Sequence, residues 1–286
     1  MVLDLQPAFL TLSEDVLAEK NRPVMQRIIM SAENQVAKAV KSVLERMQNA
    51  CKQRPSDLVA VEPRLVAVSK TKPVSMIIEA YQSGQRNFGE NYVQELVDKA
   101  NDVTIREQCE DIRWHFIGHL QSNKVKKVLS APNLYMVETV HSKKLATELE
   151  KHWSKETDRG RLKVFIQVNT SGEENKSGIP PEECTETVSH VIDSCPSLEF
   201  AGLMTIGAFD HNLEKGPNPD FQCLIKCKED VCKLLNMDQD MVELSMGMSH
   251  DFEHAISVGS ANVRVGSTIF GAREEPRRRH DVNTNK

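Results

Sequence analysis

A chain of 286 residues with 40% hydrophobic content is long enough for one large core, and barrels of this length form a single domain. A formal charge of −5, from 36 basic against 41 acidic residues, and only 5% aromatics supply neither the basic field nor the stacking surfaces that nucleic-acid binding uses, so no nucleic-acid partner is expected. The seven cysteines, at 51, 109, 184, 195, 223, 227 and 232, include no C-x-x-C pair and suit buried thiols in a reducing compartment, which excludes a disulfide framework.

Residues 1–22 show no clear period and are expected to be a flexible extension. From about Pro23 to Lys52, Val24, Ile28, Ile29, Val36, Val40, Val43, Leu44 and Met47 recur at helical intervals. They predict a long leading helix, which would plug the bottom of the fold or pair with a partner chain. Eight apolar runs of strand length follow, at 65–69, 86–88, 114–117, 134–138, 163–168, 199–206, 242–246 and 263–266. Between them lie stretches with helical spacing, such as Ile77, Ile78 and Tyr81, then Val93, Leu96 and Val97, then Leu145, Leu149 and Trp153. Repeated strand-then-helix order with near-continuous apolar strands predicts parallel pairing with helices outside. Eight such units predict an α/β fold, a single TIM-type (β/α)8 barrel over residues 23–273 with an additional N-terminal helix. The charged, proline-broken run 274–286 is expected to be a disordered tail, and Arg277 to Arg279 are too few for a targeting patch.

No run reaches membrane-spanning length, so no membrane partner is expected. Asp4, Glu14 and Asp15 sit where a signal or import sequence would be apolar or basic, so the cytoplasm is the expected compartment.

Lys70 stands at the end of the first apolar run, Leu65 to Ser69, where the chain must leave the sheet. Barrel chemistry gathers at that end of the strands. A lysine there is poorly solvated, which favours the neutral amine that attacks an aldehyde, making Lys70 a candidate for a Schiff base. The same position also suits a lysine that only extends its stem out of a strand end. The loops after the seventh and eighth strands, with Ser245, Gly247 and Ser249 and then Gly266 and Ser267, suit an anion. Ser249 equally suits an ordinary helix cap.

Other chemistries find less support. Gly266-x-x-x-x-Gly271 is followed by Ala272-Arg273, not by the Lys-Ser/Thr of a P-loop. The pairs His115/His119 and His250/His254 lack a third ligand, so no metal site is expected. No G-x-S-x-G elbow occurs, and the carboxylates Glu90, Glu138 and Asp251 near strand ends give only weak grounds for an acid pair. Cys223, Cys227 and Cys232 fall in a predicted helix and read as packing residues.

Five ordered segments, LVAVSKTKP at 65–73, GQRNFGENYVQE at 84–95, WHFIGHLQ at 114–121, LSMGMS at 244–249 and RVGSTIFG at 264–271, together resemble the pyridoxal-phosphate homeostasis protein family. The likeness spans about residues 25 to 273. It implies the barrel of the alanine racemase amino-terminal domain, with pyridoxal 5′-phosphate as cofactor and no catalytic turnover. On this resemblance Lys70 would form the internal aldimine, and Ser249, Gly266 and Ser267 would hold the phosphate. Asn91 would approach the ring, and Arg264 would face the ring nitrogen or the phosphate. Lys72 would be a secondary acceptor only, because Pro73 ends regular structure. An arginine at the pyridine nitrogen leaves it unprotonated and weakens carbanion stabilisation, which favours holding over turnover.

Alanine racemase also uses a tyrosine from a second domain, which is not expected here, and of the three tyrosines only Tyr92 falls in a rim loop. The implied function is a carrier in vitamin B6 homeostasis, a monomer or weak dimer that passes the cofactor to apo-enzymes. The alternative is an amino-acid racemase or lyase using the same lysine.

Overall fold

Eight parallel strands pair in sequence order and close on themselves in the computed structural model: β1 (Arg64–Val68), β2 (Asn87–Glu90), β3 (Arg113–Phe116), β4 (Leu134–Val140), β5 (Leu162–Gln167), β6 (Leu198–Met204), β7 (Glu243–Ser245) and β8 (Asn262–Val265). The structure describes residues 35–272, apart from 56, 57, 59–61, 157, 174, 175, 209, 210 and 212–215. Closure is made by β1 against β8, with Leu65 opposite Val263 and Val66 opposite Arg264. The fold is therefore the expected (β/α)8 barrel, with every strand within two residues of its predicted limits. Gly89 and Glu90 prolong β2 where a loop was expected. The Val66 and Ile117 side chains fill the space beside Gly89, so the strand runs on without a side chain there.

Helices α2 (Val74–Gln82), α3 (Val93–Asn101), α4 (Val103–Gln108), α5 (Val125–Leu129), α6 (Lys143–Trp153), α7 (Cys184–Ser194), α8 (Pro219–Leu234), α9 (Phe252–Ser257) and α10 (Ser267–Phe270) occupy the connections and the stretch after β8. Their starts are written locally. Ser142 accepts from the Leu145 amide to cap α6, and Asn218 does the same for Asp220 ahead of Pro219 at the start of α8. Leu145, Leu149 and Trp153 recur at four-residue steps and are buried on one face of α6, each contributing about 1.5–3 kcal/mol of apolar burial.

The leading helix, α1, is described over residues 35–51. Over its described residues it packs on the side of the barrel and does not plug the bottom, with Leu44 of the predicted stripe exposed. Val36, Val40, Val43, Met47 and Ala50 are buried in the main core, because the stripe is wide enough to dock on the barrel flank. Glu79 of α2 accepts from the Val36 and Ala37 amides at 3.0 and 3.2 Å, Arg46 pairs with Glu253 of α9, and Arg54 donates to the Ile256 and Ser260 carbonyls. Thus α1 covers the sector between α9 and α2, beside β8 and β1, where the four residues of α10 are too short to do so.

The expected extension 1–22, the first turns of the leading helix and the tail 274–286 lie outside the described residues. All seven cysteines are free thiols, and burial pushes those of Cys109 and Cys195 up to about 11. Among the described residues no helix is long and apolar enough to cross a membrane.

Candidate functional site

Lys70 is delivered by a turn, not by the strand itself. The Ser69 amide continues the ladder to the Gly89 carbonyl, and the Lys72 amide returns to the Ser69 carbonyl at 3.0 Å. This puts Lys70 and Thr71 at the two centres of a β-turn. Thr71 carries φ of 63°, a left-handed conformation that a β-branched residue rarely takes. Its amide is held by Glu95 Oε1 at 2.5 Å, which fixes the turn. Lys99 of α3 donates to the Ser69 carbonyl, to Glu90 and to Glu95 at 2.8, 2.8 and 2.7 Å, so a buried ion-pair cluster lies directly beneath the lysine. Burial pushes the Glu90 carboxyl up, and the Lys99 charge and the Ser69 hydroxyl oppose that rise.

Beside the β1 turn, the loops after β7 and β8 are joined by the Gly266 amide donating to Ser249 Oγ at 3.1 Å and by Thr268 Oγ1 donating to the Ser249 carbonyl at 3.4 Å. Ser267 and Thr268 open α10, so their amides precede any carbonyl of their own helix that could accept them. A Cβ on Gly266 would sit 3.2 Å from Val68 Cβ and the Val68 carbonyl, so the backbone there approaches β1 closely.

A single cavity of about 440 Å3 lies between these parts. Lys70, Asn91, Ser249, Arg264, Gly266 and Ser267, the six residues singled out from sequence, all line it, together with Lys72 and His250. Its apolar walls are Val68, Ile117, Met204, Ile206 and Met248. Asn91 Oδ1 is buried without a hydrogen-bond partner, an acceptor held ready in the cavity wall. Lys72 lines the cavity because the turn at Thr71 folds the chain back, and its ammonium donates to the Ala272 carbonyl at 2.8 Å. An amine, a set of amides and hydroxyls on the neighbouring loops, and a slot of this size fit a flat, phosphorylated aldehyde.

The model for the alanine racemase N-terminal domain matches residues 40–274. The pyridoxal phosphate homeostasis protein of Homo sapiens is 58% identical over 245 residues, which cover 86% of this chain and 89% of that one. The chain belongs to the pyridoxal phosphate homeostasis protein family. A bacterial member of this family, from Haemophilus influenzae, is 41% identical over 231 residues, covering 81% of this chain and 93% of its own. The solved structure of PipY from Synechococcus elongatus with PLP bound is 28% identical and has a TM-score of 0.67, covering 83% of this chain and 100% of that one. The alanine racemase of Corynebacterium glutamicum, at 16% identity and a TM-score of 0.56, covers 87% of this chain and 64% of its own and shares the fold alone.

For this family member, the floor of the cavity is the part that sequence reasoning missed. Arg264, on β8, points into the barrel, where its guanidinium donates to Ser245 Oγ at 2.5 Å and to the Thr205 carbonyl at 2.7 Å. Ser245 in turn donates to Glu138 Oε2 at 2.7 Å, and Glu138 Oε1 lies 2.7 Å from His115 Nδ1. Asn262 donates to both Glu138 oxygens, and His115 Nε2 reaches Asn87 at 3.2 Å. Burial holds His115 below its ordinary value, so the ring is neutral. Burial alone would raise Glu138, but His115, Arg264 and Ser245 outweigh it and keep the carboxylate ionised.

Glu138 and Glu90 therefore do not form an acid pair. Glu138 faces inward, whereas Glu90 faces Lys99 beneath α3. His115 is a buried partner of a carboxylate, and His254 accepts from the Asn218 amide and stacks on Phe221. Among the described residues no group of three or more His, Cys, Asp or Glu is arranged to hold a metal ion. The signal available in the sequence was the polar content of the barrel strands, His115, Glu138, Ser245 and Asn262, where barrel interiors are ordinarily filled by branched apolar residues.

Proposed function

We propose that this chain holds pyridoxal 5′-phosphate reversibly in the barrel mouth and takes part in intracellular vitamin B6 homeostasis, without turnover of its own. One observation carries the reading: Lys70 and the Ser249, Gly266 and Ser267 loops line the same cavity. Family membership and the PLP-bound PipY structure support it.

The bound cofactor supplies an electrophilic aldehyde, and the chain's own residues divide the remaining work. Lys70 would hold the aldehyde by condensation of its amine with loss of water, a linkage that water or a competing amine reverses. Ser249 and the amides of Gly266 and Ser267 receive the phosphate. Asn91 and Arg264 orient the ring, and the apolar walls exclude water from its faces. Arg264 brings a fixed cation to the ring, which opposes protonation there and disfavours carbanion chemistry. Tyr92 is 52% exposed and is not among the residues lining the cavity, so it does not supply the second acid-base group that racemisation uses. Reversible capture at an open mouth suits a cytoplasmic carrier that passes the cofactor to apo-enzymes.

The test is to mix purified protein with pyridoxal phosphate, reduce with borohydride, digest and weigh the peptides. The expected result is the added mass on Lys70. Labelling elsewhere would overturn the assignment. Rapid, Lys70-dependent α-proton exchange in a panel of amino acids in deuterated water would replace the carrier with a racemase or lyase.

A further inference from the structure

The interior of this barrel is costly to build. At the layer beneath the cavity, where branched apolar side chains would pack, it holds His115, Glu138, Ser245, Asn262 and Arg264, each no more than 4% exposed. Burying an arginine and a glutamate is weak grounds for stability, since an apolar layer of the same volume would serve the fold as well or better. The polarity of the chain is fixed: the guanidinium donates to Ser245 Oγ, and that hydroxyl donates onward to Glu138 Oε2. Asn262 donates to the same two acceptors, and His115 takes the remaining side of the carboxylate. Glu138 thus has its lone pairs occupied from β3, β7 and β8 at once, and the charge it carries faces Arg264 through one hydroxyl. The second anchor of Arg264, the Thr205 carbonyl, is neutral.

We propose that Glu138 is the positioning residue of the cofactor cavity: through Ser245 it holds Arg264 as a fixed, charged donor at the cavity floor, and so sets the ionisation of the bound ring from inside the barrel. This rests on the reading that pyridoxal phosphate occupies the cavity. Glu138 is not among the residues lining the cavity. It acts by denying the guanidinium other rotamers and by balancing its charge, so that a donor, never a proton acceptor, meets the ring. The phosphate-receiving groups on the loops after β7 and β8 stand outside this network, which gives the proposal a signature that a purely structural role lacks.

The experiment compares wild type, Glu138→Gln and Ser245→Ala. Inorganic phosphate affinity reports the loops, and two measurements with pyridoxal phosphate report the floor: its affinity, and the pH midpoint of the absorbance change of the bound cofactor. The expected result is that both variants shift that midpoint and bind pyridoxal phosphate about tenfold more weakly, as suits loss of a hydrogen bond to a charged group. Phosphate affinity is expected to stay within about twofold, and Glu138→Asp is expected to restore part of the pH midpoint. Folded variants with the wild-type midpoint and affinity would overturn the proposal, as would a parallel loss of phosphate affinity. If Glu138→Gln does not fold, Ser245→Ala, which removes one hydroxyl, decides. Failure of wild type itself to give a reducible adduct would instead refute the reading of the cavity.

Discussion

The Lys99 ammonium donates to the Ser69 carbonyl at 2.8 Å, tying helix α3 to the residue immediately before Lys70. The same ammonium lies 2.8 Å from Glu90, which is fully enclosed between α3 and the barrel. Lys99→Met strands that carboxylate, and stability is expected to fall by about 3–5 kcal/mol. Denaturant unfolding measures it. Adding Glu90→Leu should recover most of the loss, because the penalty belongs to the unpaired charge; a double variant as unstable as the single one would show that the turn, not the charge, was at fault.

His115 is neutral in the folded chain because burial depresses its pKa. As pH falls below about 6.5, the unfolded chain takes up a proton there before the folded one does. Stability contributed by this residue is therefore present above about pH 6.5 and declines as pH drops towards the folded value. His115→Gln is expected to flatten the plot of unfolding free energy against pH below 6.5, by at most about 1.4 kcal/mol per pH unit. An unchanged slope in urea titrations would contradict a neutral, buried ring.

The β3 loop crosses the β2 loop so closely that a Cβ on Gly118 would sit 1.9 Å from the Asn91 carbonyl oxygen. Thr139 Oγ1 donates to the Gly118 carbonyl at 2.7 Å and holds that crossing from β4. Gly118→Ala must push Asn91 away, at a cost of about 1–3 kcal/mol in stability. Pyridoxal phosphate affinity is expected to fall with it, since Asn91 lines the cavity. Isothermal titration beside a thermal melt checks both effects.

The Ser249 hydroxyl bridges the loops after β7 and β8 by accepting from the Gly266 amide. Ser249→Ala removes one hydroxyl from the phosphate end, and affinity for pyridoxal phosphate is expected to drop by about tenfold. Borohydride should still fix the cofactor on Lys70, because the substitution leaves the amine itself in place. Loss of labelling with affinity intact would reverse the two roles.

The β-strands, their order and the two ends of the cavity were legible in the sequence, because each is a local property. Apolar runs of strand length, helical spacing between them and small residues after β7 and β8 act over a few residues, and Lys70 followed by Thr71-Lys72-Pro73 marks a strand end. The sequence alone therefore determined a parallel barrel with Lys70 and the small-residue loops after β7 and β8 at the same rim.

Only the tertiary structure decided which polar strand residues face inward. Side chains alternate with a period of two, but the register shifts between Trp114 and His115, between Val137 and Val140, and between Val164 and Phe165. The shifts that involve β4 interrupt the alternation there, so Glu138 inside could not be extrapolated along the chain. Pairing of β7 with β8 brought Arg264 over Ser245, and closure of β1 on β8 left beside those two strands the flank that α1 fills. Those contacts join residues far apart in the chain, and only three-dimensional packing brings them together.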